Sequence, residues 1–60
     1  MIEIMDHPQE SQPYLEVYKQ GSSEQPEKVI YYPDGLDGID RENALKKIFD
    51  LYGKNNCKLI

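Results

Sequence analysis

Residues 31–53 read YYPDGLDGIDRENALKKIFDLYG and carry a turn, a helix start, an apolar repeat and a helix stop in succession. The Pro-Asp-Gly triplet at 33–35 is a turn signal, because proline presets φ and glycine accepts a left-handed conformation. Asp40 is the predicted N-cap, since its carboxylate can accept hydrogen bonds from the first helical turn. The apolar spacing then predicts a helix over 41–52, and Gly53 is placed to end it. This amphipathic helix must be buried against another element.

Three other stretches have the composition of β-strands. Residues 1–5 alternate isoleucine with other side chains, 14–19 mix leucine and valine with tyrosine, and 28–32 contain a continuous apolar run. The pattern predicts an α+β fold, in which a small antiparallel sheet of three to four strands carries the helix on one face. Residues 57–60 are a fourth strand, a tail docked on the helix or a modification signal.

The chain is long enough for one domain, residues 1–60, with a small interior. A chain of this size buries about 60% of the surface that its unfolded form exposes, so its stability is marginal. Cys57 is the single cysteine, which excludes an internal disulfide as a source of further stability. The predicted core consists of Ile2, Ile4, Leu15, Val17, Val29, Tyr31, Leu45, Ile48, Leu51 and Leu59.

The charge is unevenly distributed along the chain. Residues 1–27 carry six acids and one base, a net charge of −5, whereas residues 28–60 carry five acids and six bases, a net charge of +1. An acidic chain lacks the basic footprint that binding to nucleic-acid phosphates requires, so we predict no direct contact with nucleic acid. The acidic half indicates either a surface that attracts a basic partner or a means of keeping the protein soluble.

One helix covers only one face of a sheet, so the opposite face is left to solvent or to a partner. The side chains that we place on this uncovered face are Tyr14, Glu16, Tyr18, Ile30 and Tyr32. Tyrosine is enriched at protein interfaces because it combines a large rigid ring with a hydroxyl that can stay hydrated. These five residues are therefore the predicted partner-binding site. Cross-strand pairing of tyrosines, which stabilises a sheet without any partner, is the alternative interpretation.

The residues that could carry chemistry do not form a catalytic or ligand-binding motif. His7 has no serine, cysteine or second histidine beside it, and is interpreted as a surface histidine. The acids of residues 34–42 lack the spacing of a calcium loop, and Gly35 and Gly38 lack the context of a phosphate loop. We therefore predict no catalytic residue, no cofactor, no metal ligand and no enzymatic activity.

The C-terminus raises the question of a lipid anchor. Cys57 is the fourth residue from the end, and the third residue of the tetrapeptide that it begins, Leu59, is aliphatic, as in a prenylation signal. Anchoring would need a second signal, and only Lys54 and Lys58 are nearby, so a small apolar role for Cys57 is preferred. The sequence has no apolar run near the roughly 18 residues of a spanning helix. We expect a cytoplasmic protein without membrane contact.

These features favour a non-enzymatic module that binds another protein through the tyrosine-bearing face and the acidic half. The partner would carry a basic or apolar patch. A homo-oligomeric structural protein, such as a homodimer that uses the same face, and an acidic mimic of nucleic acid are the alternatives. In size and charge the chain resembles the accessory and inhibitor proteins of bacteriophages and other mobile elements, a likeness that implies binding to, and inhibition of, another protein.

Overall fold

The computed structural model describes residues 1–20 and 24–60. Over these residues the chain forms four β-strands and one α-helix. The elements in chain order are β1 Ile2–His7, β2 Tyr14–Lys19, β3 Lys28–Tyr31, α1 Ile39–Tyr52 and β4 Cys57–Leu59, with a 3₁₀ turn at Lys54–Asn56 before the last strand. The predicted α+β fold, a sheet with one helix packed against it, is confirmed. Among the described residues, no helix combines the length and the apolar content needed to cross a bilayer.

The strands form one mixed sheet in the order β3-β2-β1-β4. β1 and β2 pair antiparallel, as do β2 and β3, which agrees with the prediction for these strands. β4 pairs parallel with β1, and the amide of Ile60 donates to the carbonyl of Ile4 at 2.9 Å. The expectation of a wholly antiparallel sheet was therefore wrong for residues 57–60. After β3 the chain returns through α1, so its last strand runs alongside the first in the same direction.

The interior is made by seven buried side chains among the described residues. They are Ile2, Ile4, Leu15, Val17, Tyr32, Ala44 and Ile48, with Ile30, Leu45, Phe49, Tyr52 and Cys57 partly buried against them. Four residues predicted for the core are exposed instead: Val29, Tyr31, Leu51 and Leu59. The helix contributes the narrow stripe of Ala44 and Ile48, and Leu51 lies outside that stripe.

The pairing of β3 with β2 determines which side chains of its apolar run face the helix. Ile30 lies opposite Leu15, whose side chain is fully buried, so Ile30 points toward the helix and Tyr31 points away. The next residue, Tyr32, follows the strand with its side chain fully buried, and its amide donates to the carbonyl of Pro13 at 2.9 Å. The sequence-based prediction was the reverse, with Val29 and Tyr31 toward the helix and Ile30 and Tyr32 on the opposite face. A slip of one residue moves every side chain of a strand to the other face, which explains both errors.

The helix begins two residues earlier than predicted, and its cap differs from the expectation. Gly38 occupies the N-cap position, and Asp40 lies inside the first turn. The side chain of Asp34 in the preceding turn accepts a hydrogen bond from the amide of Asp40 at 3.2 Å. Asp34 therefore performs the role that was predicted for Asp40, because its carboxylate satisfies one of the free donors at the helix start. The charge of Asp40 still complements the positive end of the helix dipole.

The predicted turn at residues 33–35 is present. The amide of Gly35 donates to the carbonyl of Tyr32 at 3.1 Å, and Gly35 has a φ of 79°, a left-handed conformation that glycine adopts without strain. At the other end of α1, Gly53 has a φ of 87° and its amide donates to the carbonyl of Phe49 at 2.8 Å. Both glycines thus delimit the helical region as the sequence indicates.

Candidate functional site

The face of the sheet opposite α1 has no covering layer in the described part of the chain, and we call it the open face. Alternation along each strand places the side chains of β1, β2 and β3 that do not point to the helix on this surface. Its members are Glu3, Met5, His7, Tyr14, Glu16, Tyr18, Val29 and Tyr31. Four of these eight side chains are aromatic, counting His7, so the surface is unusually rich in flat rings.

Glu16 lies at the centre of the open face and links residues on both sides of it. One of its carboxylate oxygens bonds to Nε2 of His7, and the other accepts from the hydroxyl of Tyr18 at 3.0 Å. Its side chain is only 16% exposed although the face is uncovered, because neighbouring side chains surround it. These two hydrogen bonds hold the carboxylate and both partners in fixed orientations.

Three rings form a continuous row across the strands. The ring of His7 stacks on that of Tyr14, with centroids 4.5 Å apart and planes inclined by 22°. The ring of Tyr14 in turn contacts that of Tyr31, with centroids 5.6 Å apart and planes inclined by 53°. Both separations lie within the range of favourable aromatic pairs. The row presents ring surface and hydroxyls to the outside, and Tyr31 is 56% exposed.

The hydroxyls of this site are hydrogen-bond donors at neutral pH. Partial desolvation, followed by the charge of Glu16, raises the pKa of Tyr14 above its ordinary value. Partial desolvation, followed by the hydrogen bond to Glu16, raises the pKa of Tyr18 in the same direction. Both effects favour the protonated phenol, since burial and a nearby anion disfavour phenolate. Tyr14 and Tyr18 therefore present neutral phenols beside the carboxylate of Glu16.

The structure brings together three of the five residues predicted as the partner-binding site. Tyr14, Glu16 and Tyr18 lie side by side on the open face. The placement of Ile30 and Tyr32 on that face was wrong, because the parity of β3 turns Ile30 toward the helix and Tyr32 is buried. Their positions are taken by Val29 and Tyr31, the residues that the sequence had assigned to the core.

His7 was also misjudged from the sequence. It was interpreted as an isolated surface histidine, whereas it is the last residue of β1 and contacts both Tyr14 and Glu16. The apolar alternation of Ile2, Glu3 and Ile4 breaks at Met5 and Asp6, so the only local signal for a longer strand was Pro8, which marks its latest possible end. Extending the strand by two residues places His7 on the same face as Glu3 and Met5.

The side chains of the open face are suited to non-covalent binding rather than to catalysis. Its polar groups are phenols, one imidazole and carboxylates, and of these His7 and Tyr18 both bond to Glu16. Among the described residues, no group of three His, Cys, Asp or Glu side chains is arranged to hold a metal ion. Cys57 lies elsewhere, at the start of β4, where its thiol donates to the carbonyl of Gly53 at 3.3 Å and burial raises the thiol pKa.

No family model, no curated protein and no solved structure matches this chain. Its function has to be inferred from the geometry described above.

Proposed function

We propose that this protein is a non-enzymatic module that binds another protein through its open face. The contact residues are Tyr14, Glu16, Tyr18 and Tyr31, of which Tyr31 replaces the Tyr32 of the sequence-based prediction. The partner carries a basic or apolar patch, and an inhibitor or accessory protein of the kind found in mobile elements is the role that fits best. The lone thiol supports a cytoplasmic location, where reducing conditions keep single cysteines free.

The observation that supports this proposal is the pre-organised row of rings on a sheet face without a cover. Binding normally costs conformational entropy, because each mobile side chain must be ordered at the interface. Here the ring of Tyr14 is held between His7 and Tyr31, and the hydroxyl of Tyr18 is held by Glu16. These side chains are ordered before a partner arrives, so less entropy is lost when they dock.

Charge supports a partner with a basic patch. The open face is formed mainly by β1 and β2, and of the six acids in residues 1–27 it carries Glu3 and Glu16, with Lys58 of β4 opposite Glu3. Glu16 is at its centre and Glu3 is on the same face. Complementary charge increases the rate of encounter and excludes partners of the wrong sign.

The proposal is tested by removing the three tyrosine rings of the open face together. We expect the Tyr14→Ser, Tyr18→Ser, Tyr31→Ser variant, used as bait in quantitative affinity capture from the native host, to lose a protein that the unaltered chain retains. Rings at an interface centre are typically worth about 2 kcal/mol or more each, so the loss should be nearly complete. Circular dichroism must show that the variant keeps its helix.

The matched control removes three exposed apolar side chains outside the open face. Leu36, Ile39 and Leu51 are each more than half exposed, and the variant that changes all three to serine should capture the same protein as the unaltered chain. Equal capture by the tyrosine variant and by the unaltered chain contradicts the proposal.

Self-association is the second candidate, because the same ring row could dock against a second copy of itself. A homodimer of this kind would have a two-fold axis through the open face. The same surface of both copies would then form the interface. Sedimentation at two protein concentrations separates the candidates. A dimer that dissociates on dilution, and that the triple-serine change abolishes, favours self-association over a foreign partner.

A further inference from the structure

A second surface lies at the edge of the sheet on the helix side of β3, and it adjoins the open face at Val29. Between β3 and α1 runs a groove of about 250 Å³, lined by Lys28, Val29, Ile30, Lys47, Ile48 and Leu51. β3 is an outer strand of the sheet, so its second edge has no neighbouring strand among the described residues. We call this region the edge groove.

The backbone of β3 presents free hydrogen-bonding groups to the edge groove. The bond from the amide of Tyr32 to the carbonyl of Pro13 fixes which residues of β3 bond to β2. Bonded and non-bonded pairs alternate in an antiparallel ladder, so Ile30 bonds to Leu15 while the amides and carbonyls of Val29 and Tyr31 point outward. An exposed edge of this kind is a template for one more strand.

The side chains that line the edge groove are apolar or basic, whereas the adjoining pocket, which shares Ile30 and Lys47 with it, also has Asp40 and Asp50 in its lining. Lys28 lies on the same side of β3 as Ile30 and therefore faces α1, where Lys47 lines the opposite wall. The floor is apolar, with Ile48 buried and Leu51 exposed at one end. No carboxylate from the described residues lines this groove, which gives it two positive charges in a chain whose net charge is −4.

We propose that the edge groove binds an extended segment of a partner protein, which pairs with β3 as an added strand and directs a carboxylate toward Lys28 and Lys47. Successive side chains of a strand alternate between faces, so the residue two positions from the carboxylate also faces α1. An apolar side chain there contacts Ile30 and Leu51. Backbone bonds supply affinity in this mode of recognition, and the alternate side chains supply specificity.

The charge of the edge groove favours an acidic foreign strand over a second copy of this chain. Two copies joined edge to edge by a two-fold axis would place their helices side by side on one face of a continuous sheet. Lys28 and Lys47 of one copy would then approach the same two lysines of the other, and like charges at short range are unfavourable. A segment with a carboxylate relieves this positive field.

The test uses a capped pentapeptide, acetyl-Thr-Glu-Thr-Val-Thr-amide, whose Glu and Val share one face when the peptide is extended. In titrations followed by ¹⁵N NMR, we expect the largest amide shifts at Val29 and Tyr31, because these amides gain hydrogen bonds. Exposed ion pairs are weak, so Lys28→Gln and Lys47→Gln should each reduce affinity by about threefold. Replacing Glu of the peptide by Gln should have a similar effect.

Two controls make the result decisive. Lys58 lies on β4 at the other edge of the sheet, and Lys58→Gln should leave affinity unchanged. Val29→Pro removes an outward amide without breaking the ladder to β2, and it should abolish binding while the helix signal is kept. The Tyr14→Ser, Tyr18→Ser variant of the open face, which leaves β3 unaltered, should still bind the peptide, so the two proposals can fail separately.

Three outcomes would overturn the proposal. One is a set of peptide-induced shifts that leaves Val29 and Tyr31 unchanged. The second is equal affinity for the Glu and Gln peptides in low salt. The third is a shift of the same amides with protein concentration alone, which would show that a second copy occupies the edge groove.

Discussion

Tyr32 shows how a single side chain joins three parts of this small domain. Its hydroxyl donates to one oxygen of Asp6 on β1, and the other oxygen of Asp6 accepts from Nε of Arg41 on α1 at 2.9 Å. The ring is fully buried and directly follows β3. A buried polar group is costly unless it is bonded, and here the phenol, the carboxylate and the guanidinium satisfy one another. Burial, followed by the bond to Asp6, raises the pKa of Tyr32 to about 12.

Tyr32→Phe is expected to lower the free energy of unfolding at pH 7 by about 1–2 kcal/mol, because Asp6 loses one of its donors. The effect should depend on pH. The pKa of Tyr32 lies at about 12 in the folded state, above its ordinary value of 10.0, so folding favours the protonated phenol. This contribution is fully present below pH 10 and is lost as the pH rises through about 12.

Urea denaturation of both proteins between pH 7 and pH 12 checks this expectation. The stability difference should shrink at high pH by an amount on the order of 2 kcal/mol. Tyr52→Phe removes a phenol elsewhere in the chain and gives the baseline for losing one hydroxyl. A difference in free energy of unfolding between the unaltered chain and Tyr32→Phe that stays constant across this pH range would show that folding does not raise the pKa of Tyr32.

At the scale of the elements, the start of α1 depends on a contact between two residues of the preceding turn. A Cβ added to Gly38 would lie 2.0 Å from Cγ of Asp34, so only glycine lets the carboxylate approach this closely. That approach allows Asp34 to accept from the amide of Asp40. Gly38 therefore serves the helix through the position of its neighbour rather than through a side chain of its own.

Asp34→Ala and Gly38→Ala are each expected to lower the free energy of unfolding by about 1 kcal/mol, the usual cost of losing a helix cap. The double variant should lose little more than either single variant, since both changes remove the same hydrogen bond. Urea denaturation monitored by the helix signal measures all three. Additive losses would show that Gly38 acts independently of Asp34.

The sequence predicted the elements better than their orientations. The strands at 14–19 and the helix that ends at Tyr52 are as expected, because alternation, turn residues and caps are local signals. The sequence could not show which side chains of β3 face the helix. Val29, Ile30, Tyr31 and Tyr32 are all apolar or aromatic, so they give no alternation. Their orientation is decided by the pairing with Leu15 and by the bond of Tyr32 to Asp6, which are both long-range.

The residues of the open face could likewise be predicted only where a strand has an alternating pattern. Tyr14, Glu16 and Tyr18 alternate with Leu15 and Val17, so the sequence placed them correctly on one face. Val29 and Tyr31 were missed because of the parity error. The pairing direction of β4 could not be predicted from the sequence either. Three residues after a 3₁₀ turn contain no signal for parallel or antiparallel pairing.

At the scale of the whole molecule, the sheet order places β1 and β2 inside and leaves β3 and β4 at the edges. The two surfaces that we propose for contact adjoin at β3, where Val29 belongs to both. The open face is acidic and rich in rings, and the edge groove on the helix side carries Lys28 and Lys47. Under the two proposals, the open face takes a basic patch and the edge groove takes an acidic strand.

Hydrogen exchange measured residue by residue by NMR checks this arrangement. The amide of Ile30 should be protected because it bonds to β2, whereas the amides of Val29 and Tyr31 should exchange quickly because they point outward. Amides of the two inner strands should be protected throughout. Protection of Val29 and Tyr31 in dilute protein, equal to that of Ile30, would contradict the register of β3 or reveal a cover on its edge.

The small number of interior side chains has a practical consequence. With seven buried residues among those described, the native state has little free energy in reserve, so any ligand adds a large fraction to it. A ligand present at about 100 times its Kd contributes about 2.7 kcal/mol. For a domain of this size, that raises the melting temperature by about 10 °C or more. Thermal-shift screening can therefore detect an unknown binding partner without any assay of activity.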